Sequence, residues 1–456
     1  MSNFKEKAKP ISIVLIGTLI LSLIGLYNGY PLVYSDTGTY IYSGFDVFVP
    51  NDRPVMYGLF LRFFSFKTSA WFVIFVQNLI TSYVLYELFR SLYKTDRLKK
   101  SYLLITLFLV FFTGIGWYSN QLMPDFFAPI AIISLYLFLS GSLKGSIVRN
   151  VLVGLILTVS LLVHFSHLMI GTIMVGLALI VKLTRGKEMI LLSLKNSVFL
   201  SLLVLSSWII LPFINYSISE EFVLSKGSHV FLLASLNEKG LVKPYLDKNC
   251  DQPWFGGNTL CDYKEELPTT IDGFIWSGDG IVSKTNAWEK GKQDFDEVIY
   301  GIHKDPGLLV QSISKSLIYG GVQLTRNKIG EGLSAYGQGS APYGQIHWRF
   351  REELNDYLNS KQNKFNGQAL QFDFLNKVNV LVLFISLAIL VLYSLNPDKK
   401  RQTAFLVLFL LVGIVVNSMV TAGLSAPYDR YQARVVWMLP LLILIMLDKK
   451  EISIKL

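Results

Sequence analysis

The amino-acid sequence predicts an all-α polytopic membrane protein, and three observations support that fold class. Hydrophobic residues make up 52% of the 456-residue chain, and the mean hydropathy is +0.44. Charged residues make up only 16%, whereas ordinary soluble domains contain about 25%. Apolar stretches near the ~20 residues that cross a bilayer as a helix recur along most of the chain. The composition therefore excludes disordered, fibrous, coiled-coil and small disulfide-stabilised classes.

The apolar stretches predict about ten membrane-spanning helices, separated mostly by basic or turn-rich breaks. Their approximate limits are 11–30, 69–91, 101–120, 124–141, 149–165, 167–184, 193–215, 376–395, 402–421 and 433–447. These spans divide the chain into an N-terminal membrane module (1–215), a loop domain (216–375) and a C-terminal membrane module (376–456).

The positive charges predict the orientation of the spans, because cytoplasmic loops are enriched in Lys and Arg. With an even number of spans, most basic residues of the short loops fall on one side: Lys5, Lys7, Lys9, Lys94, Arg97, Lys99, Lys100, Lys144, Arg149, Lys182, Arg185, Lys187, Lys399, Lys400, Arg401, Lys449, Lys450 and Lys455. We therefore expect both termini in the cytoplasm and interpret the net charge of +10 as a topology signal, not as a nucleic-acid-binding surface. A first span without a cleavage site, together with the Lys and Asn usage, favours a bacterial inner membrane, with the endoplasmic-reticulum membrane as the alternative.

The long loop 216–375 is predicted to be a small, mixed extracytoplasmic domain near the C-terminal third, because it is too long for a linker. It contains the only two cysteines, Cys250 and Cys261, which are predicted to form a disulfide on an oxidising side of the membrane. Two free thiols are the alternative. We expect the aromatic residues of this domain to be mainly structural.

The outer loop 31–68 supplies the first candidate site residues. Asp36 lies between aromatic residues just beyond the first span, where its carboxyl group is expected to have a raised pKa and to act as a base toward a hydroxyl group. A second, compatible interpretation is that Asp36 caps a short helix beginning at Thr37. Arg53 is a candidate for binding an anionic group, with an ordinary interfacial arginine as the alternative.

The second outer loop, 117–125, and the turn after the fifth span supply three more candidates. Asp125 follows a proline where the fourth span begins, so it is either a site residue or an ordinary helix cap. His164 and His167 are close enough in sequence to contact one phosphate or to share a metal. The alternative is a hydrogen-bonded histidine pair. A structural zinc site is disfavoured, because no cysteine or further histidine lies nearby in the sequence.

Asp429, Arg430 and Arg434 precede the last span on the predicted outer side. Positive charge there runs against the cytoplasmic bias, and the two arginines are one helical turn apart. Because a guanidinium group can hold two phosphate oxygens, we favour anion binding over snorkelling interfacial arginines. The predicted spans contain almost no mid-membrane charge, and Glu87 lies near a cytoplasmic end, so ion-coupled transport is disfavoured.

In this order the motifs resemble the GT-C superfamily of integral-membrane glycosyltransferases, which use polyprenyl-phosphate-linked sugars as donors. The matching residues are Asp36 with Arg53-Pro54, Pro124-Asp125, and Asp429-Arg430-Tyr431 with Arg434. The resemblance covers spans one to seven and the last span, whereas residues 216–375 match nothing. A single acid follows the first span where a pair is common in the superfamily, so the subfamily stays open.

The resemblance implies sugar transfer to a hydroxyl group of a glycan, lipid or protein acceptor on the outer (periplasmic or lumenal) face. Asp36 would be the general base, and Asp125 a second catalytic acid. A divalent cation, Mg²⁺ or Mn²⁺, is possible in metal-using members, with Asp36, Asp125 and His167 as ligands. The implied substrate-binding residues are Arg53, His164, His167, Asp429, Arg430 and Arg434. The stretches 336–339 and 343–344 would form a mobile cover over the acceptor site.

Two other functions stay open at this point. An O-antigen-type polysaccharide polymerase or ligase has a similar topology but depends on loop arginines, for which Arg349 is the candidate here. A flippase for lipid-linked sugars would bind the same molecules without catalysis. A purely structural scaffold is disfavoured, because it does not need acids, histidines and arginines clustered on one side of the membrane.

Overall fold

The computed structural model describes residues 2–185, 194–364, 370–395 and 401–449. Helices account for 74% of the structure, and the described ranges contain no strand beyond an isolated parallel bridge between Leu32 and Gln121. The all-helical prediction is therefore confirmed. Among the basic residues used to predict orientation, Lys187, Lys399, Lys400, Lys450 and Lys455 lie outside the described residues.

The helices are numbered here in chain order. They are α1 Ser2–Asn28, α2 Thr37–Asp46, α3 Met56–Phe64, α4 Ala70–Leu92, α5 Thr95–Phe112, α6 Ile115–Ser119, α7 Phe127–Leu139, α8 Ile147–Leu162, α9 Phe165–Arg185, α10 Leu194–Ser219, α11 Ser228–Glu238, α12 Val242–Asn249, α13 Ile271–Ile275, α14 Ile281–Lys284, α15 Lys292–Lys304, α16 Pro306–Thr325, α17 Ala341–Arg349, α18 Leu354–Asn359, α19 Asp373–Ser394, α20 Arg401–Leu424, α21 Asp429–Val436 and α22 Met438–Asp448. Short 3₁₀ helices lie at Pro124–Phe126, Thr259–Tyr263 and Arg351–Glu353.

Seven helical stretches in the described residues are long and apolar enough to cross a membrane. They are Pro10–Asn28, Ala70–Leu92, Phe165–Thr184, Leu194–Ser219, Asp373–Ser394, Gln402–Leu424 and Asp429–Asp448. Pro124–Leu139 and Ile147–Leu162 are apolar but shorter, and α5 begins with a charged turn and ends before Thr113. These apolar helices support the predicted membrane character, whereas the predicted number of about ten spans is not confirmed.

Two chain segments that the sequence predicts as outer loops pair with each other inside the protein. The Leu32 amide donates to the Asn120 carbonyl (2.9 Å), and the Leu122 amide donates to the Leu32 carbonyl (2.8 Å). The side chain of Gln77 on α4 donates to the Ser119 and Gln121 carbonyls at 3.1 and 2.8 Å. These bonds satisfy backbone groups that a buried loop would otherwise leave unpaired. They also hold the chain after α1 against the chain before α7.

The short helices α2 and α3 lie side by side within the first loop and position the residues that precede them. A Cβ atom on Gly44 of α2 would collide with the backbone of Gly58 on α3, so only glycine permits this approach. Asp36 directly precedes α2, and Arg53 lies three residues before α3. Close packing of the two helices therefore brings the two side chains to one place.

The long loop forms two packing units. Residues 227–305, called the loop module below, have their own buried core, which includes Leu233, Phe274, Phe295 and Val298. Cys250 and Cys261 of this module are joined by a disulfide, with their Cα atoms 5.6 Å apart. The later residues Ile329, Leu333, Ile346, Phe350 and Tyr357 belong instead to the core formed with the long apolar helices.

The loop module is attached to the end of α20 through a buried lysine. The Lys239 ammonium group donates to the Gly423 carbonyl at 2.7 Å and to the Ser235 hydroxyl at 2.8 Å. A cation at the carboxyl end of a helix is favoured by the helix dipole. This contact holds the module over the ends of α9, α10 and α20.

Candidate functional site

A cavity of about 790 Å³ lies between the loop module and the helix ends beneath it. Four of the sequence-predicted site residues line it: Asp36, Arg53, His164 and Arg430. They come from the first loop, the turn before α9 and the start of α21. The fold thus brings together side chains that are hundreds of residues apart in sequence.

Asp36 is held between two arginines at the polar end of this cavity. One carboxylate oxygen is 3.3 Å from an Arg53 guanidinium nitrogen, and the other is 3.3 Å from an Arg430 guanidinium nitrogen. The Asp36 side chain is 25% exposed. It occupies the N-cap position of α2 but makes no capping hydrogen bond, so its side chain is committed to the arginines.

The pKa of Asp36 differs from the sequence-based expectation. Burial alone raises the pKa, but the charges of Arg53 and Arg430 and their hydrogen bonds outweigh burial and lower it below the usual range. The prediction of a raised pKa was therefore wrong for this state of the site. Asp36 is ionised at neutral pH, and it is a weak base as long as both guanidinium groups contact it.

The two guanidinium groups are fixed by aromatic rings. The Arg430 guanidinium lies 4.5 Å from the ring centre of Tyr34 and 4.9 Å from that of Tyr431, and the Arg53 guanidinium lies 4.8 Å from the ring of Tyr40. Arg53 also pairs with Asp52, which lines the cavity as well.

Asp36, Asp52, Arg53 and Arg430, called the ionic clamp below, together carry no net charge. An anion that enters the cavity must therefore compete with Asp36 for the arginines.

His164 presents a neutral hydrogen-bond donor to the same cavity. The backbone N–H of Ser166 donates to the Nδ1 atom of His164 at 3.1 Å, so Nδ1 is an acceptor and the proton of the neutral ring lies on Nε2. Burial and the nearby Arg434 charge lower the pKa of His164 to about 3. The ring therefore stays uncharged at neutral pH, and it is suited to donate a hydrogen bond and not to bind as a cation.

Arg434 and Asp125 form a buried ion pair behind the cavity wall. The Arg434 side chain is fully buried; it donates to Asp125 at 3.1 Å, to Ser166 at 3.2 Å and to Asn417 at 3.1 Å. Neither Arg434 nor Asp125 lines the cavity. The expectation that Arg434 binds substrate and Asp125 acts as a catalytic acid does not fit these positions, because both groups are paired inside the protein. Through Ser166 the pair instead supports His164.

Two further predicted substrate-binding residues also lie away from the cavity. His167 is fully buried on α9, with Nδ1 3.0 Å from the Ser160 carbonyl and its ring centre 5.0 Å from that of His164. The Asp429 carboxylate accepts a hydrogen bond from the Lys328 amide at 3.1 Å. Both residues support the site from outside and do not reach into it.

The residues suggested for a divalent cation do not converge. Within the described ranges, no three His, Cys, Asp or Glu side chains are grouped so that they could hold a metal ion. Asp36 and Asp125 each face guanidinium groups, and His167 lies behind the cavity wall. This donor set does not fit the predicted cation site.

Two other parts of the cavity could not be predicted from sequence motifs. An apolar wall is contributed by α9, α10, α20 and the chain after α10: Leu168, Met169, Trp208, Leu224 and Leu424. The loop module supplies a roof that contains Ser228, Phe231, Asp272 and Trp276. Neither set has a recognisable motif, because the residues are scattered and are joined only when the module docks on the helix ends.

Comparison of the chain with protein-family models, with curated proteins and with solved structures finds no match in any of the three. The geometry of the cavity is therefore the basis for assigning a function.

Proposed function

We propose that the protein is a membrane glycosyltransferase that moves a sugar from a polyprenyl-phosphate-linked donor to an acceptor hydroxyl group, with Asp36 as the general base. The observation that carries this proposal is one cavity in which a carboxylate sits between two guanidinium groups beside an apolar wall. A base, an anion-binding pair and a hydrocarbon-lined surface are the three features that this reaction needs.

The apolar wall suits a lipid-linked donor. Leu168 and Met169 on α9 and Trp208 on α10 line the cavity, and both helices are long enough to lie in a bilayer. An isoprenoid chain that enters between them keeps its hydrocarbon surface out of water while its phosphate reaches Arg53 and Arg430. A water-soluble nucleotide-sugar donor would have no use for this wall.

The proposed reaction is a displacement at the anomeric carbon of the sugar. The acceptor oxygen forms the new bond to that carbon, and its proton passes to the Asp36 carboxylate. The bond between the anomeric carbon and the phosphate oxygen breaks, and its electron pair leaves with the polyprenyl phosphate. Arg53 and Arg430 stabilise the charge that develops on this leaving group, and the His164 Nε2–H is placed to add a hydrogen bond.

The ionic clamp couples donor binding to the basicity of Asp36. When no other anion competes for them, both arginines hold Asp36 and lower its pKa. A donor phosphate draws the guanidinium groups toward itself and brings a negative charge close to the carboxylate, and both effects raise the pKa of Asp36. Asp36 is therefore expected to become a stronger base when the donor is bound.

This coupling predicts a difference between two pH profiles. With saturating acceptor, the acidic limb of kcat/KM for the donor reports Asp36 in the enzyme without donor, whereas the acidic limb of kcat reports Asp36 in the complex that contains the donor. We expect the limb of kcat to lie at higher pH than that of kcat/KM for the donor, when both are measured with saturating acceptor. Coincident limbs would show that the donor phosphate does not change the environment of Asp36.

Donor binding is expected to depend on the two arginines of the ionic clamp. Charge-assisted hydrogen bonds contribute about 1.5–3 kcal/mol each, so Arg53→Gln or Arg430→Gln should weaken binding of polyprenyl monophosphate by roughly 10- to 100-fold. The measurement is the Kd of that lipid for protein in nanodiscs. Arg349→Gln is the matched control, because Arg349 pairs with Asp46 and does not line the cavity. Equal affinity of all variants would contradict the proposed phosphate site.

Transfer by the purified protein tests the whole proposal and separates it from its rivals. A panel of polyprenyl-phosphate sugars should include at least one from which sugar is transferred to a hydroxyl acceptor. Tight binding without transfer from any donor would favour a flippase. Transfer that survives loss of Asp36 but not of Arg349 would favour the polymerase or ligase, although the pairing of Arg349 with Asp46 gives that role no support.

The proposed reaction also has a proposed location. The cavity lies where α9, α10 and α20 meet the first loop, on the side that the positive charges predict as extracytoplasmic. With that orientation both termini are cytoplasmic and the donor is used on the outer face of a bacterial inner membrane. Labelling of a cysteine introduced at the exposed residue Trp348 by a membrane-impermeant reagent in intact cells tests this orientation.

A further inference from the structure

The roof of the cavity contains a tryptophan that is exposed in spite of firm packing on one side. Trp276 follows α13 in the loop module, and its ring centre lies 6.1 Å from that of Trp288 and 6.2 Å from that of Phe231. Trp276 is nevertheless 54% exposed and lines the cavity. A large aromatic ring held in place but left uncovered offers a flat contact surface, and little conformational entropy is lost when a ligand covers it.

Packing of the module does not require this exposed surface. Phe274 and Phe295 at the centre of the module core are fully buried, and His229 packs against Phe295. Trp276 stands at the edge of this core, with its contacts to Phe231 and Trp288 on the module side. The uncovered surface of the indole includes the part that lines the cavity.

The short helix α13 that precedes the tryptophan carries a carboxylate, Asp272. Asp272 is exposed and lines the cavity, and it lies one helical turn before Trp276, whose amide donates to the Asp272 carbonyl at 2.9 Å. Asp272 also acts on Tyr428: burial and this carboxylate together raise the pKa of the tyrosine. Aromatic surface and hydrogen-bond acceptor thus occupy one rigid turn.

Two tyrosines connect this turn with the ionic clamp. The ring centres of Tyr428 and Tyr431 are 5.7 Å apart in an edge-to-face arrangement, and the Arg430 guanidinium lies 4.9 Å from the ring of Tyr431. The rings of Tyr428 and Tyr431 therefore connect Asp272 with Arg430, the arginine that we assign to the phosphate. A group attached directly to that phosphate would lie next to the roof.

We infer that Trp276 and Asp272 form the sugar-binding subsite of this cavity. A pyranose ring has one face of C–H groups and a rim of hydroxyl groups. The C–H face stacks on the electron-rich indole face, and the rim donates hydrogen bonds to the Asp272 carboxylate. This inference rests on the proposed function, because it assumes a sugar linked to a phosphate that Arg53 and Arg430 bind.

The test compares phosphodiester lipids that differ only in the sugar. The probes are methyl polyprenyl phosphate, called the bare lipid below, and polyprenyl phosphate esterified with a hexose, an N-acetylhexosamine or a pentose, bound to protein in nanodiscs. We expect the wild-type protein to bind at least one sugar-linked form about tenfold more tightly than the bare lipid. Trp276→Ala should abolish this gain without weakening the bare lipid, and Trp276→Phe should keep part of it.

Asp272→Asn and Trp254→Ala complete the set. Asp272→Asn should reduce the gain, because an amide replaces the acceptor-only carboxylate; the thermal transition of this variant, compared with that of the wild-type protein, checks that it is folded. Trp254 is 63% exposed on the same module but does not line the cavity, so Trp254→Ala should leave both affinities unchanged.

The outcomes separate the subsite from the function. If neither the bare lipid nor any sugar-linked lipid binds to the wild-type protein, the proposed function is refuted, and the sugar subsite is refuted with it. If both lipids bind but the sugar adds nothing, or if its gain survives both Trp276→Ala and Asp272→Asn, only the subsite is overturned.

Discussion

Replacing Asp36 with asparagine is expected to slow sugar transfer by about 10²- to 10⁴-fold, the range that general base catalysis contributes. Asparagine has nearly the same shape, but its amide cannot accept the proton of the acceptor hydroxyl group. The substitution also removes the carboxylate that competes for Arg53 and Arg430. The affinity for polyprenyl monophosphate should therefore stay the same or increase while kcat falls.

This opposite behaviour of turnover and donor affinity distinguishes a base from a residue that merely holds the site together. A structural role for Asp36 would weaken donor binding and turnover together. Asp46→Asn is the matched control: Asp46 ends the helix that Asp36 precedes and also pairs with an arginine, but it lies outside the cavity. Full transfer activity in Asp36→Asn would refute the assignment of the general base.

Replacing Arg434 with methionine is expected to destabilise the protein by about 3–5 kcal/mol. The substitution leaves the Asp125 carboxylate buried without its cation, and it also removes the donors to Ser166 and Asn417. We expect a clear fall in the thermal transition of detergent-solubilised protein. An unchanged transition would mean that the pair is not the buried support described above.

The double variant Arg434→Met with Asp125→Leu separates stability from function. Replacing both partners of a buried ion pair with apolar residues is often neutral, so the double variant should recover most of the lost stability. Because neither residue lines the cavity, the recovered protein should bind the donor phosphate with near wild-type affinity. If the double variant is stable but binds no donor, the result would support the anion-binding role of Arg434 that was predicted from the sequence.

The pairs Asp36 and Asp125, and Arg430 and Arg434, show where inference from sequence ends. Both acids follow or precede an apolar span, and both arginines lie in the same short helix, so local patterns treat the members of each pair alike. Which member of each pair faces the cavity depends on contacts between distant residues. Arg430 contacts Asp36, 394 positions away in sequence, and Arg434 contacts Asp125, 309 positions away. Burial and pairing depend on which surfaces meet, and no local pattern encodes that.

The sequence by itself determined the membrane-embedded helical architecture and the polar residues at the helix ends. The physical reason is that a backbone in lipid must satisfy its own hydrogen bonds, so long apolar stretches have to be helices and polar side chains stand out where those stretches stop. Asp36, Arg53, His164 and Arg430 were therefore visible as candidates.

Only the tertiary structure decided which of those candidates face a common cavity, in which direction the pKa of Asp36 is shifted, and that Trp276 and Asp272 belong to the site. Each of these properties depends on neighbours supplied by distant parts of the chain. The pKa of Asp36 follows from burial and from two arginines, one in the first loop and one on α21, and the roof is formed by the loop module, which Lys239 joins to the end of α20. Desolvation and charge pairing are properties of the assembled surfaces, which is why the fold and not the sequence fixes them.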